Sequence, residues 1–277
     1  MLAAFLILTR LIANLPAGAR VLDLGARSGS FSTSRADIAV IRADLEPPSR
    51  HSGAYVAADA AQLPFPTGAF DLIVSNHSLE HLERLEVSVA EIGRVLKPLG
   101  AIYIAVPDAT TLTDRIYRWL GRGGGHVNAF RSPGEVVALV ERLGGARHRA
   151  TQELASGLSF LNAHNFHAPP PRKIALFAFG NERFLAVFVW LLRSLDRAFG
   201  TRLSIYGWAF YFGSAAPPRS LATWHNVCVR CGAAHSCDYL RAYAGGWRKI
   251  LGIESYRCPA CAGFNLFTAD RTRKASG

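Results

Sequence analysis

Between Arg20 and Asp108 five short apolar runs, RVLDLG, DIAVIRAD, AYVAAD, FDLIVSN and GAIYIAVPD, alternate with turns and stretches of helical spacing. This interleaving is the signature of consecutive βαβ units and a largely parallel sheet, joined by right-handed crossovers. Between the fourth and fifth runs, LEHLERLEVSVAEIGRVLKPLG repeats apolar residues at spacings of three and four, and predicts a helix ended by Pro98 and Gly100.

Further on, SPGEVVALVERLGG predicts a helix with Ser132 at the N-cap, Pro133 in the first position and Gly144 at its close. ARHRATQEL is a candidate strand. Residues 155–202 interrupt the sheet pattern with the Pro-rich turn HAPPPRK and an apolar helix to about Phe199, an insertion suited to a lid. SIYGWAFYFGS supplies a last aromatic strand, and APPRS is a linker. The expected organisation is one α/β domain over residues 1–216 and a smaller module over 217–277. A chain of 277 residues, half of them apolar, is long enough for both and too hydrophobic to stay disordered.

The formal charge of +11 favours anionic partners: nucleic acid, lipid headgroups or a phosphorylated substrate. The arginines are scattered, so charge does not choose among them. MLAAFLILTRLIANLP lacks a basic leader, is broken by Arg10 and runs into the first strand, which predicts a packing helix rather than a signal peptide. Asn181, Glu182 and Arg183 interrupt the most apolar segment, so no membrane span is expected. Together with five cysteines crowded between Cys228 and Cys261, these features lead to the expectation of a cytoplasmic chain with reduced thiols.

A nucleotide-like cofactor needs a strand ending in an acid, then a glycine turn opening onto amide groups, and VLDLGARSGSFS has that form. Asp44 ends the second strand about twenty residues later, where a carboxylate can accept ribose hydroxyl protons. Asp59 follows the third strand, placed to accept a hydrogen from an adenine amino group. A dinucleotide site would require a Gly-x-Gly-x-x-Gly turn, which Gly25 to Gly29 does not supply.

VLDLGARSGSFS, ADLEPP, ADAAQLPFPTGAFDLIVSNHSLEHL and EIGRVLKPLGAIYIAVP resemble, in order, the motifs of class I S-adenosylmethionine-dependent methyltransferases, closest to the type 11 group. The resemblance covers roughly residues 15–110. It implies a Rossmann-like seven-stranded sheet with an antiparallel last strand, a role open to SIYGWAFYFGS, and S-adenosylmethionine lying across the strand ends. It also implies that Asp23, Gly25 and Gly29 shape the methionine pocket, Asp44 holds the ribose, Asp59 and Ala60 contact adenine, and Asn76 and His77 face the sulfonium and the acceptor. The family's loop carries a middle glycine where this chain has Arg27. Either its guanidinium pairs with the methionine carboxylate, or the loop binds the donor weakly.

Methyl transfer to an alcohol or phenol needs a positioned acceptor and a proton acceptor. His77, and His126 in the glycine-rich loop GRGGGHVNAF, are the candidate general bases; His81 is expected to be structural. No Asn-Pro-Pro-Tyr or Asp-Pro-Pro-Tyr follows the fourth strand, nor does that strand end in Pro-Cys, which weighs against base methylation. O-methylation of a small molecule or glycan is the leading expectation. An RNA methyltransferase and a non-catalytic donor-binding protein are the alternatives.

Finally, Cys228-Val-Arg-Cys231 and Cys258-Pro-Ala-Cys261 are two Cys-x-x-Cys knuckles separated by just over two dozen residues, a spacing that lets four thiolates meet one structural Zn²⁺. They resemble a zinc ribbon, with Cys237, near His235, as a spare that could substitute for a ligand. Arg230, Arg241, Arg248, Lys249 and Arg257 make this module basic, a feature suited to RNA or an anionic carrier, while the apolar helix before it leaves peripheral membrane contact open.

Overall fold

The computed structural model describes residues 8, 11–27, 29–46, 53–119, 126–165, 180–215, 226–243, 246–250 and 252–269. Most of the expected N-terminal helix, Ser28, the glycines at 121–125, the HAPPPRK turn and the APPRS linker lie outside these residues.

The strand runs become β1 (Arg20–Leu24), β2 (Ala39–Asp44), β3 (Ala54–Ala57), β4 (Phe70–Asn76) and β5 (Leu96–Pro107), followed by β6 (His148–Ala155) and β7 (Ile205–Gly213). They form one seven-stranded sheet in the order β3-β2-β1-β4-β5-β7-β6. β1 to β5 are mutually parallel, and β7 runs antiparallel to both β5 and β6. Strand order reverses at β1, where Leu24 is level with Ala43 of β2 and Ser75 of β4. Loops leaving neighbouring strands in opposite directions open a crevice there, the usual ligand position in such sheets.

The central strands β1, β4 and β7 and most of β5 are buried on both faces, while β2, β3 and β6 toward the edges are partly exposed, and the side chains divide by a period of two. Leu22, Ile73, Ile102, Ile104, Phe210 and Phe212 meet the layer formed by α1 (Leu85–Val95) and α3 (Pro133–Leu143). Val21, Leu72, Val74, Tyr103 and Tyr211 face the opposite layer with Leu8, Leu11 and Ile12. A short helix α2 (Leu112–Tyr117) follows β5.

Helix α1 stops at Val95, ahead of the expected terminus, because the residues leading into Pro98 are driven to extended conformations; Leu96 has φ −76° and ψ 138° and opens β5. In α3 Ser132 is the N-cap and Pro133 leads the helix, but the serine hydroxyl bonds the Glu135 carboxylate at 3.3 Å rather than a backbone amide.

Helix α4 (Glu182–Phe199) is capped by the Asn181 side chain, which accepts from the amides of Arg183 and Phe184, and closes on Gly200 in the left-handed region. Within the segment suited to a lid, this helix is the seat of the cysteine module. Leu185, Ala186, Val189 and Leu192 pack with Leu158, Leu161, Val229 and Leu266. That module comprises the hairpin β8 (Asn226–Val227) and β9 (Ala234–His235), helix α5 (Cys237–Ala242), and the sheet β10 (Arg248–Ile250), β11 (Ile253–Arg257) and β12 (Phe264–Leu266). Gly157 is required at the join, since a Cβ there would lie 2.5 Å from the Cys228 carbonyl oxygen. No helix among the described residues is long and apolar enough to cross a membrane.

Candidate active site

The turn after β1 brings Asp23, Gly25, Arg27, Gly29 and Asp44 together. Gly25 sits against the residue following His77, because a Cβ on it would lie 2.3 Å from Ser78 Cβ. Arg27 adopts φ 40°, so the chain does place a non-glycine residue in the left-handed region where the family has glycine. Its amide then donates to Asp44 Oδ2 at 2.8 Å, tying the turn to the end of β2. Its side chain is exposed.

Asp23 is fully buried: Oδ2 accepts the Ser30 amide at 2.9 Å and lies 3.7 Å from Arg42 Nε, while Oδ1 has no partner among the described residues. Burial pushes its carboxyl above the usual range, against the opposing hydrogen bonds from Ser30. At the end of β4, Asn76 is buried too and its Oδ1 lacks a partner among the described residues. Two unpaired acceptors beside a glycine turn that admits close backbone approach fit the polar methionine end of S-adenosylmethionine, with Asp44 at the ribose position. Ala60 is buried beyond β3. Asp59 is more committed than its expected adenine role suggests: Oδ1 accepts the Ala61 amide at 2.8 Å and Oδ2 pairs with Arg84 at 2.6 Å. The Ala61 amide, then Arg84, hold its carboxyl below the ordinary value.

On the acceptor side, His77 follows β4 with φ 57°, its amide bonded to Ala105 O. Its ring hydrogen-bonds the Tyr206 hydroxyl, and its Nδ1 lies 3.6 Å from Glu80 Oε1. Burial pushes the Tyr206 phenol well above its ordinary value, keeping it protonated. His126 does not touch His77. It sits beside His81, with ring centroids 4.8 Å apart, and stacks on Tyr117 at 5.5 Å. Burial lowers the His126 imidazole, which keeps it neutral. Glu80 joins the two halves of this cluster, and neither it nor Tyr206 stood out in the sequence. Tyr206 lies 129 residues from His77, so only the antiparallel last strand brings them together.

The four cysteines of the C-terminal module converge. Cys228 and Cys261 Sγ lie 3.7 Å apart, and Cys231 and Cys258 Sγ 3.8 Å. This is far beyond a disulfide bond and close to the spacing of thiolates around one tetrahedral ion with bonds of about 2.3 Å. Arg230 N and Asn265 Nδ2 donate to Cys228 Sγ, and His235 Nε2 lies 3.3 Å from Cys258 Sγ. Hydrogen bonds from the Cys231 and Cys258 thiols hold the Cys228 thiol below its ordinary value. Cys237 lies apart from the four, within reach of Asn226 and the Thr268 carbonyl.

A family profile described as a methyltransferase domain matches residues 22–104. Over 204 residues the chain is 29% identical to an uncharacterized methyltransferase of Mycobacterium leprae strain Br4923, covering 65% of this chain and 67% of the relative. It is 34% identical over 132 residues to the malonyl-[acyl-carrier protein] O-methyltransferase of Methylococcus capsulatus, 42% of this chain and 47% of that protein. A solved structure from Anabaena variabilis, described as a methyltransferase of an antibiotic biosynthesis pathway, superposes with TM-score 0.50 at 17% identity over 78% of this chain and 100% of the other, a likeness of fold. Sheet order, glycine turn and strand-end acids together define a methyltransferase of the Rossmann-like type. Residues 22–104 match the methyltransferase domain family, and they lie on the Rossmann-like sheet found in class I S-adenosylmethionine-dependent methyltransferases.

Proposed function

We propose that the chain transfers a methyl group to an oxygen of a small molecule or glycan. The observation that carries this reading is the His77 imidazole, set at the end of β4 between the Tyr206 hydroxyl and the Glu80 carboxylate. The Methylococcus relative, named for O-methylation, supports it. Bound S-adenosylmethionine supplies an electrophilic methyl on a good leaving group, which leaves orientation and proton removal to the protein. Asp23, Gly25, Arg27 and Asn76 would hold the methionine end, Asp44 the ribose, and Ala60 with Asp59 the adenine edge. His77 takes the acceptor's hydroxyl proton as the new carbon–oxygen bond forms. Tyr206 and Glu80 fix the ring in place.

Four converging thiols with S···S separations near 3.7 Å support one structural Zn²⁺ held by Cys228, Cys231, Cys258 and Cys261. So small a module has little core of its own, and the ion would replace that burial.

Calorimetry with S-adenosylhomocysteine tests the donor half: no heat from folded protein sinks the enzyme reading. Labelled-methyl transfer into fractionated extract tests the acceptor half, with label expected in the small-molecule or glycan fraction as a hydroxylamine-stable ether or as an ester. Salt-sensitive label in RNA that disappears on removing residues after 217 would replace this reading with the RNA one. His77→Ala should keep S-adenosylhomocysteine affinity and lower kcat by about 100-fold or more.

A further inference from the structure

The residue after the 3₁₀ turn's only carboxylate is a histidine, and the chain returns to that turn with a second one. Glu80 and His81 lie in the turn Leu79–His81 that follows β4. Two segments are then clamped together. The Val127 and Asn128 amides donate to Glu80 O at 2.9 and 3.0 Å, and Asn128 Nδ2 donates to the Leu79 and Leu82 carbonyls at 2.9 and 2.8 Å. This clamp sets His126 against the turn. One ligand atom each from Glu80, His81 and His126 falls within 4.8 Å of the others.

Two features distinguish this cluster from a chance meeting of polar side chains. Glu80 is only 2% exposed, yet among the described residues its Oε2 has no hydrogen-bond partner, and the buried Nδ1 of His126 has none either. A desolvated carboxylate oxygen and imidazole nitrogen left unpaired each carry an uncompensated desolvation penalty, so native structures seldom leave two side by side. A shared cation would satisfy both. We propose that Glu80, His81 and His126 form a second metal site, holding a divalent transition-metal ion on the acceptor side of the sheet.

The donor set decides the class of ion. One carboxylate oxygen and two imidazole nitrogens suit Zn²⁺, Mn²⁺, Fe²⁺ or Co²⁺, whereas Mg²⁺ and Ca²⁺ prefer all-oxygen cages and Cu⁺ prefers sulfur. Bonds of about 2.1 Å need ligand atoms roughly 3 Å apart, a closure that side-chain torsions supply at exposed His81. The supporting groups are in place. Tyr117 stacks on the His126 ring, and the second Glu80 oxygen faces His77. Three ligands from one side leave coordination positions open to solvent, as in catalytic rather than structural sites. Resting on the methyltransferase reading, an acceptor oxygen entering an open position would lose its proton more readily, beside the His77 that receives it.

Metal binding is readable without turnover, so the test stands apart from the activity. Full-length chain is stripped, reloaded with Co²⁺ and titrated by absorption and elemental analysis. Two equivalents per chain are expected: one with intense thiolate charge-transfer bands, from the cysteine site, and one with weak visible bands alone. His81→Ala, at an exposed position, and Glu80→Gln should each abolish the weak bands. Each should also lower affinity for that ion by about 100-fold or more, since even a supporting residue is worth 10–100-fold, and leave the thiolate bands unchanged. A single equivalent in the unaltered chain, or a second equivalent unchanged in His81→Ala, overturns the proposal.

Discussion

Glu182, in the first turn of α4, grips Arg230, which stands between the two cysteines of the first knuckle. Both guanidinium nitrogens Nε and Nη2 reach the carboxylate, whose Oε1 also accepts the Phe264 amide at 2.7 Å just beyond the second knuckle. One side chain thus orients both knuckles against the helix. Glu182→Gln keeps the shape and removes the charge. Because the pair is partly exposed, a loss of about 1 kcal/mol is expected, read as a lower midpoint in chemical unfolding with S-adenosylhomocysteine affinity unchanged. A neutral result would mean that the apolar contacts of α4 alone hold the module.

Removing the ion should be felt beyond the module. Leu185, Val189 and Leu192 are buried against Val229 and Leu266, and the buried Arg193 donates to Val227 O at 2.6 Å, so α4 depends on a folded ribbon for its cover. Chelation or Cys258→Ser should expose that face, with new dye binding and rapid proteolysis within residues 180–269. The donor crevice, built by β1, β2 and β4, should keep S-adenosylhomocysteine affinity within about twofold, because the two sites share no residue. Loss of donor binding on chelation would show that the regions fold as one unit.

Arg27 separates backbone from side chain. Its amide serves Asp44, and glycine would keep that bond while relieving a left-handed conformation that costs an L-residue about 1–2 kcal/mol. Arg27→Gly should therefore fold at least as stably as the parent. If the exposed guanidinium pairs with the methionine carboxylate, affinity for S-adenosylhomocysteine falls about fivefold to tenfold, the worth of a charge-assisted bond near the surface. Unchanged affinity in calorimetry would assign Arg27 no part in donor binding.

The donor crevice and the thiol cluster were legible because their geometry is local. An acid, a glycine turn and a second acid at the next strand end can be read by spacing, and a Cys-x-x-Cys pair closes on itself. The acceptor cluster was half legible. His77 and His126 stood out, but Tyr206 reaches His77 only through β7 pairing antiparallel with β5, and Glu80 looked like one more helix carboxylate. His81, expected to be structural, lies beside His126 because backbone amides at 127 and 128 bind the turn, a contact no side-chain pattern encodes. The Arg230–Glu182 link spans 48 residues and was equally silent.

A pH dependence follows from Glu91, which fastens the loop bearing Asp59 and Ala60 to α1. Its carboxylate accepts the Leu63 amide and pairs with Arg94, which in turn holds the Leu63 and Phe65 carbonyls. Arg94 outweighs burial and keeps the Glu91 carboxyl below its ordinary value. A depressed folded-state pKa contributes stability that is full above the unfolded value, about 4.3, and is lost as pH falls through the folded one. Glu91→Gln should cost about 0.5–1 kcal/mol at pH 7, with the gap closing below about pH 4. Denaturation curves at both pH values check it, and a gap that persists in acid would contradict the assignment.

The two knuckles differ at one position, and that difference is measurable. Gly232 (φ 74°) and Ala262 (φ 56°) occupy equivalent places, each donating its amide to the first cysteine of its own knuckle, Cys228 O at 2.9 Å and Cys258 O at 2.8 Å. Alanine pays about 1–2 kcal/mol for the left-handed region, whereas glycine pays about 0.4–1 kcal/mol in extra unfolded-state entropy. Ala262 is exposed, so its methyl adds little packing that glycine would forfeit. Ala262→Gly should stabilise the module by about 0.5–1 kcal/mol, and Gly232→Ala should destabilise it by a similar amount. The readout is the chelator concentration that releases the ion, which should rise for the first variant and fall for the second. Equal release for both would mean that the ion, rather than the turn, sets the knuckle conformation.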